Sequence, residues 1–235
     1  MCGRYSLKGT FEDITENFKV DRRLRDIAKA VLRYNIAPSQ QIVAVRTAPD
    51  GLRELVPLKW GLLPSWSKEP KAEYSTINAR AETVAEKPAY RAAFKHRRCL
   101  IPADGFYEWQ ARPGFKLKQP WYIQLTGGEL FAFAGLWERW EPRPGQSGEP
   151  IETCTIIVTD ANALMRPIHD RMPVILDPAA YDVWLDPAFH EREALQSLLR
   201  PYPADEMTAW RVSTHVNGPK NDDAACLEPI EEDEG

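Results

Sequence analysis

Trp121-Tyr-Ile-Gln-Leu-Thr-Gly-Gly-Glu-Leu-Phe-Ala-Phe-Ala-Gly-Leu-Trp137 holds two short apolar runs, Trp121–Leu125 and Leu130–Trp137, rich in aromatic residues. Such runs bounded by glycine read as strands, and too few residues separate them for a helix. The same pattern recurs outward in both directions, at Gln41–Thr47, Leu52–Trp60, Cys99–Pro102, Thr153–Thr159, Val174–Leu176 and Thr208–Ser213. Helical spacing is confined to a few stretches. Residues 22–32 place Leu24, Ile27, Ala28, Val31 and Leu32 on one face, and Lys87–Arg97, Ala179–Leu185 and Glu191–Leu199 read similarly. Strands outnumber helices and do not alternate with them, which argues against a doubly wound parallel sheet. The expectation is α+β, a single domain on a curved, mainly antiparallel, barrel-like sheet flanked by helices.

The 20 prolines among 235 residues fit many short elements joined by fixed turns. Arg112–Gln119 and Glu141–Pro150 combine Pro, Gly and charge and read as loops. The domain is expected to span 1–227, with 228–235 a disordered acidic tail. The net charge of −4 hides an asymmetry: residues 221–235 carry seven acids and no base, whereas 1–99 carry 19 Lys/Arg against 11 Asp/Glu. This permits a local anion-binding surface and equally fits a solvated basic face. No targeting or membrane-spanning segment is expected, so the protein is placed in the cytoplasm. Cys2, Cys99, Cys154 and Cys226 are widely separated, with no Cys-x-x-Cys pair, which argues against a structural zinc site.

Cys2 carries the first chemical signal. Removal of Met1 would leave an N-terminal cysteine, whose amine and thiol together close a thiazolidine on an aldehyde. With ordinary values of about 7.7–8.0 and 8.5, both nucleophiles would be partly available near neutrality. Taken alone, Cys2 is equally a small buried residue with no role. Six further stretches follow in order: Asn35-Ile-Ala-Pro-Ser, Trp60-Gly-Leu-Leu-Pro-Ser-Trp66, Asn78-Ala-Arg-Ala-Glu-Thr83, Cys99-Leu-Ile-Pro-Ala-Asp-Gly-Phe-Tyr-Glu-Trp109, Phe133-Ala-Gly-Leu-Trp137 and Ile168-His-Asp-Arg-Met-Pro173. Together with Cys2 they resemble the SOS-response-associated peptidase (SRAP) family, whose members shield abasic sites in DNA. The likeness runs to about Asn221.

The resemblance implies roles. Cys2 matches the crosslinking nucleophile, Asn78 an amide holding the N-terminus and the sugar, Glu108 an acid catalyst and His169 a proton shuttle. A turn-capping Asn78, a Glu108 on the polar face of a strand and a structural His169 bonded to Asp170 are the competing views. Arg4 and Arg80 match residues gripping the DNA backbone, Trp66 an aromatic against exposed bases and Pro38 a residue near the strand; core packing is the alternative for Trp66. Ser67 stands where relatives often carry a second aromatic. The implied activity is covalent capture of abasic sites in single-stranded DNA, with lyase chemistry and self-removal of Met1 as further expectations. No cofactor or metal is expected, and the protein is expected to be a monomer that joins the nucleoid when acting on DNA. Two alternatives stay open: a cysteine peptidase using Cys2, His169 and Asn78, and a binding module in which Cys2 is incidental.

Overall fold

The computed structural model describes residues 2–23, 32–71 and 76–230. Its strands are β1 (Tyr5–Leu7), β2 (Arg22–Arg23), β3 (Arg33–Ile36), β4 (Gln41–Thr47), β5 (Arg53–Trp60), β6 (Asn78–Arg80), β7 (Arg98–Ala103), β8 (Gly105–Gln110), β9 (Gln119–Leu125), β10 (Phe131–Trp140), β11 (Ile151–Asp160), β12 (Arg171–Pro173), β13 (Ile175–Leu176) and β14 (Met207–Arg211). Among the described residues four short α-helices accompany them: α1 (Phe11–Asn17), α2 (Arg91–His96), α3 (Tyr181–Leu185) and α4 (Arg192–Ser197). The α+β, strand-dominated expectation holds.

The strands form two sheets. One has five strands in the order β14-β9-β8-β1-β3; the other has nine, with the path β12-β11-β10-β7-β4-β5-β2 and β6 and β13 alongside. Pairing is mostly antiparallel, but β2 and β11 pair with β5, and β6 with β11, in parallel. The larger sheet curls until β11 meets β5 at Thr153↔Lys59 and Cys154↔Trp60. Two residue pairs do not make a continuous wall, so the sheet is curled without being a closed barrel.

The opening stretch holds a surprise. β9 and β10 are consecutive but belong to different sheets, so the turn at Gly127-Gly128 moves the chain from one layer to the other. The long strands β4, β7, β10 and β11 are buried along most of their length, which their unbroken Val/Ile/Ala/Phe content requires. Gly135 lets β10 and β7 approach closely, since a Cβ there would lie 2.8 Å from Cys99 Sγ.

Several expectations need adjustment. The helix expected over 22–32 begins as the strand β2, and residues 24–31 lie outside the described residues. α1 was not anticipated; it starts at Thr10, whose side chain and that of Asp13 form a reciprocal capping box, and it buries Ile14. The helix expected over 87–97 occupies only Arg91–His96. Near the C-terminus, Pro229 bridges Val212 and Ile230 N–H donates to Arg211 C=O, so the chain remains attached up to its last described residue. Among the described residues no helix is long and apolar enough to cross a membrane.

Candidate active site

The site is assembled by strand pairing. β1 lies antiparallel to β8, with Tyr5 opposite Phe106 and Tyr107 N–H donating to Arg4 C=O at 3.0 Å. Continuing that register carries Cys2 toward Glu108, and their charges are indeed felt by one another. Behind this pair, Ser6 Oγ donates to Asp104 Oδ1 at 2.6 Å and lies 2.9 Å from Tyr122 Oη; Asp104 also accepts from Lys8 N–H. The buried network locks β1 to β8 and β9. Gly105 makes room for it, because a Cβ there would collide with Tyr122 Oη at 2.1 Å.

Cys2 is fully buried (0 % exposed). Burial pushes its thiol far above the ordinary range, and neighbouring Glu108 adds to the effect. The thiol is thus held protonated and is not a poised thiolate. Burial also pushes the Glu108 carboxyl above the usual carboxylate range, while His169 pulls the other way. Such a shift favours the protonated, proton-donating form of the carboxyl.

His169 Nε2 stands 4.0 Å from Glu108 Oε2. At the other ring nitrogen, Arg171 N–H donates to Nδ1 at 3.0 Å, and Asp170 Oδ1 lies 2.8 Å from the same atom. These contacts demand opposite protonation of Nδ1. Asp170 is largely exposed, so water competes for it, whereas the Arg171 amide is fixed by the backbone; we therefore assign Nδ1 as the acceptor. The ring proton then sits on Nε2, facing Glu108.

Asn78 opens β6 and pairs with Ile156 of β11, its Nδ2 donating to Ile156 C=O at 3.4 Å. Its Oδ1 is buried without a hydrogen-bond partner among the described residues. Asn78 does not cap a turn; it faces an open pocket of about 470 Å³ that Arg80, Thr83, Lys87 and Tyr90 also line. Tyr90 Oη donates to Asn78 C=O at 3.2 Å. Arg80 is exposed on this rim, and Lys87 adds a second cation that sequence reasoning had passed over.

Trp66 is 56 % exposed, which removes core packing as its explanation. Its carbonyl accepts from Arg143 Nη2 at 2.9 Å, and the neighbouring Ser67 carbonyl accepts from Trp140 Nε1, so the loop backbone is fixed while the indole is free to contact a ligand. Pro38 lies half-buried in the turn between β3 and β4, where Ser39 N–H donates to Trp60 C=O. Arg4 is differently engaged. Its Nη1 donates to Asn35 Oδ1 at 2.8 Å and Val216 C=O at 2.7 Å, and its guanidinium lies 5.6 Å from the Trp109 ring centroid. Asn35 Nδ2 in turn faces the carbonyls of Val216, Gly218 and Asn221, so the C-terminal segment is strapped across β3 and β1.

That strap contains a grouping invisible in the cysteine spacing. His215, Asp223 and Cys226 bring their ligand-type atoms within 4.8 Å of one another. Each is already engaged: His215 Nε2 contacts Asp223 at 3.1 Å, and the Cys226 thiol donates to Asn221 C=O.

A buried N-proximal cysteine, a raised carboxyl and a facing imidazole, brought together by strand pairing, define the class. Residues 1–219 match the model of the SOS response associated peptidase (SRAP) family, and the chain belongs to that family. Among its relatives, the Bacillus subtilis (strain 168) protein called abasic site processing protein YoqW is 47 % identical over 228 residues, covering 97 % of this chain and 99 % of that protein. The Gallus gallus abasic site processing protein HMCES is 40 % identical over 207 residues, 78 % of this chain and 60 % of that one. In three dimensions, the crystal structure of a protein from Bacteroides thetaiotaomicron is similar with a TM-score of 0.84 and 25 % identity, covering 98 % of this chain and all of that one.

Proposed function

We propose that this protein processes abasic sites in single-stranded DNA by a covalent bond through Cys2. The observation that carries the reading is the convergence of Cys2, Glu108 and His169 in one desolvated corner of the fold. The names of the relatives support the choice of substrate.

The reaction requires loss of Met1, which frees the Cys2 amine. Glu108, its carboxyl raised by burial, donates to the ring oxygen of the base-less sugar as its C1′ hydroxyl loses a proton, exposing the aldehyde. The amine adds to C1′, and the resulting carbinolamine expels water with a proton from Glu108 or His169, leaving an imine. Cys2 Sγ then bonds to the imine carbon while the nitrogen takes up the thiol's proton, closing a thiazolidine. One water leaves in total. The high pKa of the thiol suits this order, in which the amine attacks first and the sulfur is deprotonated only as the ring closes.

Asn78 Oδ1, buried and without a partner among the described residues, is assigned to the α-amine or a sugar hydroxyl. Arg80 holds a phosphate at the pocket rim, Trp66 stacks on an unpaired base and Pro38 borders the strand. Arg4, held by Nη1 donating to Asn35 Oδ1 and Val216 C=O, offers its remaining N–H groups to the DNA backbone. An unpaired strand is the preferred partner because extruding the sugar from a duplex costs a few kcal/mol of unstacking. Cleavage of the DNA from the imine, and self-removal of Met1 by the same thiol, belong to this proposal as side activities.

The test is a denaturing gel of purified protein lacking Met1 with an oligonucleotide bearing one abasic site. A retarded band that is absent with Cys2→Ala is expected. Peptide cleavage without a retarded band would replace this reading with that of a cysteine peptidase, and equal reversible binding by both proteins would leave only a binding module.

A further inference from the structure

The hairpin that carries Glu108 extends beyond the site. β8 and β9 pair from Phe106↔Ile123 to Gln110↔Gln119, and residues 111–118 turn between them as Ala-Arg-Pro-Gly-Phe-Lys-Leu-Lys. This tip has three cations, Arg112, Lys116 and Lys118, and no acid. It also holds the two most exposed large apolar side chains among the described residues, Phe115 at 61 % and Leu117 at 69 %. The turn is organised: Phe115 N–H donates to Arg112 C=O at 3.1 Å, Gly114 takes φ +82°, and the Arg112 guanidinium lies 4.1 Å from the Phe115 ring centroid. One ring face thus meets a cation, and the ring remains largely open to solvent.

The base of the hairpin is tied to the catalytic corner. Gln110 Nε2 donates to Pro167 C=O at 2.9 Å, two residues before His169, and Gln110 Oε1 accepts from Trp121 Nε1 at 3.0 Å. The tip is therefore carried on a strand anchored at the site. At about 3.3 Å per residue, Phe115 lies no more than about 23 Å along the chain from Glu108. A few nucleotides of an extended strand span that distance.

We propose that the 111–118 tip is a second docking site for the unpaired DNA strand flanking the lesion, with a base stacked on Phe115 and phosphates held by Arg112, Lys116 and Lys118. The inference rests on the reading of the site given above. An exposed aromatic among cations with no acid nearby matches a polyanion with planar bases, which stacks without regard to sequence. An acid-free, lysine-flanked tip repels basic partners and offers too little apolar surface for a protein core contact.

The test uses Phe115→Ala and the double variant Lys116→Gln/Lys118→Gln, all exposed positions outside the catalytic corner. Two abasic oligonucleotides are compared, one with long flanks and one trimmed to a single nucleotide on each side. Phe115→Ala should raise the protein concentration for half-maximal crosslinking of the long strand about tenfold and leave the trimmed strand unchanged. The lysine variant should flatten the salt dependence on the long strand only. Equal behaviour of variants and wild type on both lengths, or equal losses on both, would overturn the tip's role. Fluorescence anisotropy with an intact labelled strand separates the two proposals. If wild type crosslinks nothing, the chemistry assigned to Cys2 fails, while a loss of anisotropy affinity in Phe115→Ala still supports the tip and an unchanged affinity still refutes it.

Discussion

Arg98 on β7 and Glu108 on β8 are both buried ionisable residues, 4 % and 2 % exposed, in neighbouring strands of the chain. Their surroundings are opposite. All five N–H groups of Arg98 have carbonyl acceptors: Nε donates to Trp184, Nη1 to Phe94 and Lys95, and Nη2 to Asp186 and Phe189. Burial lowers its pKa only to about 10, so it stays charged at neutral pH and pins α2, α3 and the following loop to β7. Glu108 is desolvated instead, and burial raises its carboxyl above the usual carboxylate range. The His169 imidazole stands 4.0 Å away. On β6 and β11, the buried Asn78 Oδ1 and Thr155 Oγ1 lack hydrogen-bond partners among the described residues. A satisfied buried charge is structural, whereas polar groups left incompletely satisfied retain capacity for a ligand.

Substitutions can break this contrast. The largest effect is expected from Glu108→Gln, which should slow crosslinking about 100-fold or more, in the range for loss of a general acid, as read by the appearance of the gel-shifted band. A decrease below about tenfold would leave Glu108 with no catalytic part. Arg98→Leu should instead cost at least about 3 kcal/mol in urea denaturation, because five carbonyls, buried or partly buried, lose their donor. Protein that remains folded should crosslink at nearly the wild-type rate; a large rate loss would show that the two clusters are coupled.

Thr155→Val sharpens the comparison further. Removing a buried hydroxyl without a partner while keeping the side-chain shape should be neutral or stabilising by up to about 1 kcal/mol. Destabilisation in the same urea assay would reveal a partner, such as a bound water. Glu108 also predicts a pH signature. Its folded pKa lies above the unfolded one, so its contribution to stability is present at low pH and is lost as pH rises through the folded value. The stability of Glu108→Gln should therefore gain on that of wild type with increasing pH across that interval. A constant difference would contradict the raised carboxyl. The smallest effect belongs to Arg80→Ala, which should reduce the slope of log affinity against log salt for any single strand by about 0.7, one phosphate's worth.

How much of this could be read in advance differs between frame and site. β4, β5, β7, β9, β10, β11 and β14 were legible because runs such as Ile42–Val45 and Ile156–Val158 are continuous and β-prone. β1 and β6 have only three residues each, and β8 includes Gly105, Glu108 and Gln110, so none has a length or alternation that declares itself. Those are the strands that bring Cys2, Asn78 and Glu108 into place. The Asn35 strap and the Ser6–Asp104–Tyr122 network were missed for a related reason, since each joins residues far apart in the chain. The spaced motifs nevertheless identified the family and most of the candidate residues.

By itself, then, the order of residues determined the strand-rich α+β class, the family and the residue types available for chemistry, because apolar periodicity and short motifs are properties of neighbouring positions. Only the tertiary structure decided that the Cys2 thiol is held protonated, that burial raises the Glu108 carboxyl beside His169, that Arg4 Nη1 is engaged by Asn35 and Val216, and that β9 and β10 part into separate sheets. Desolvation and pairing depend on what surrounds a group from all directions, and those surroundings come from segments that the linear chain holds far apart.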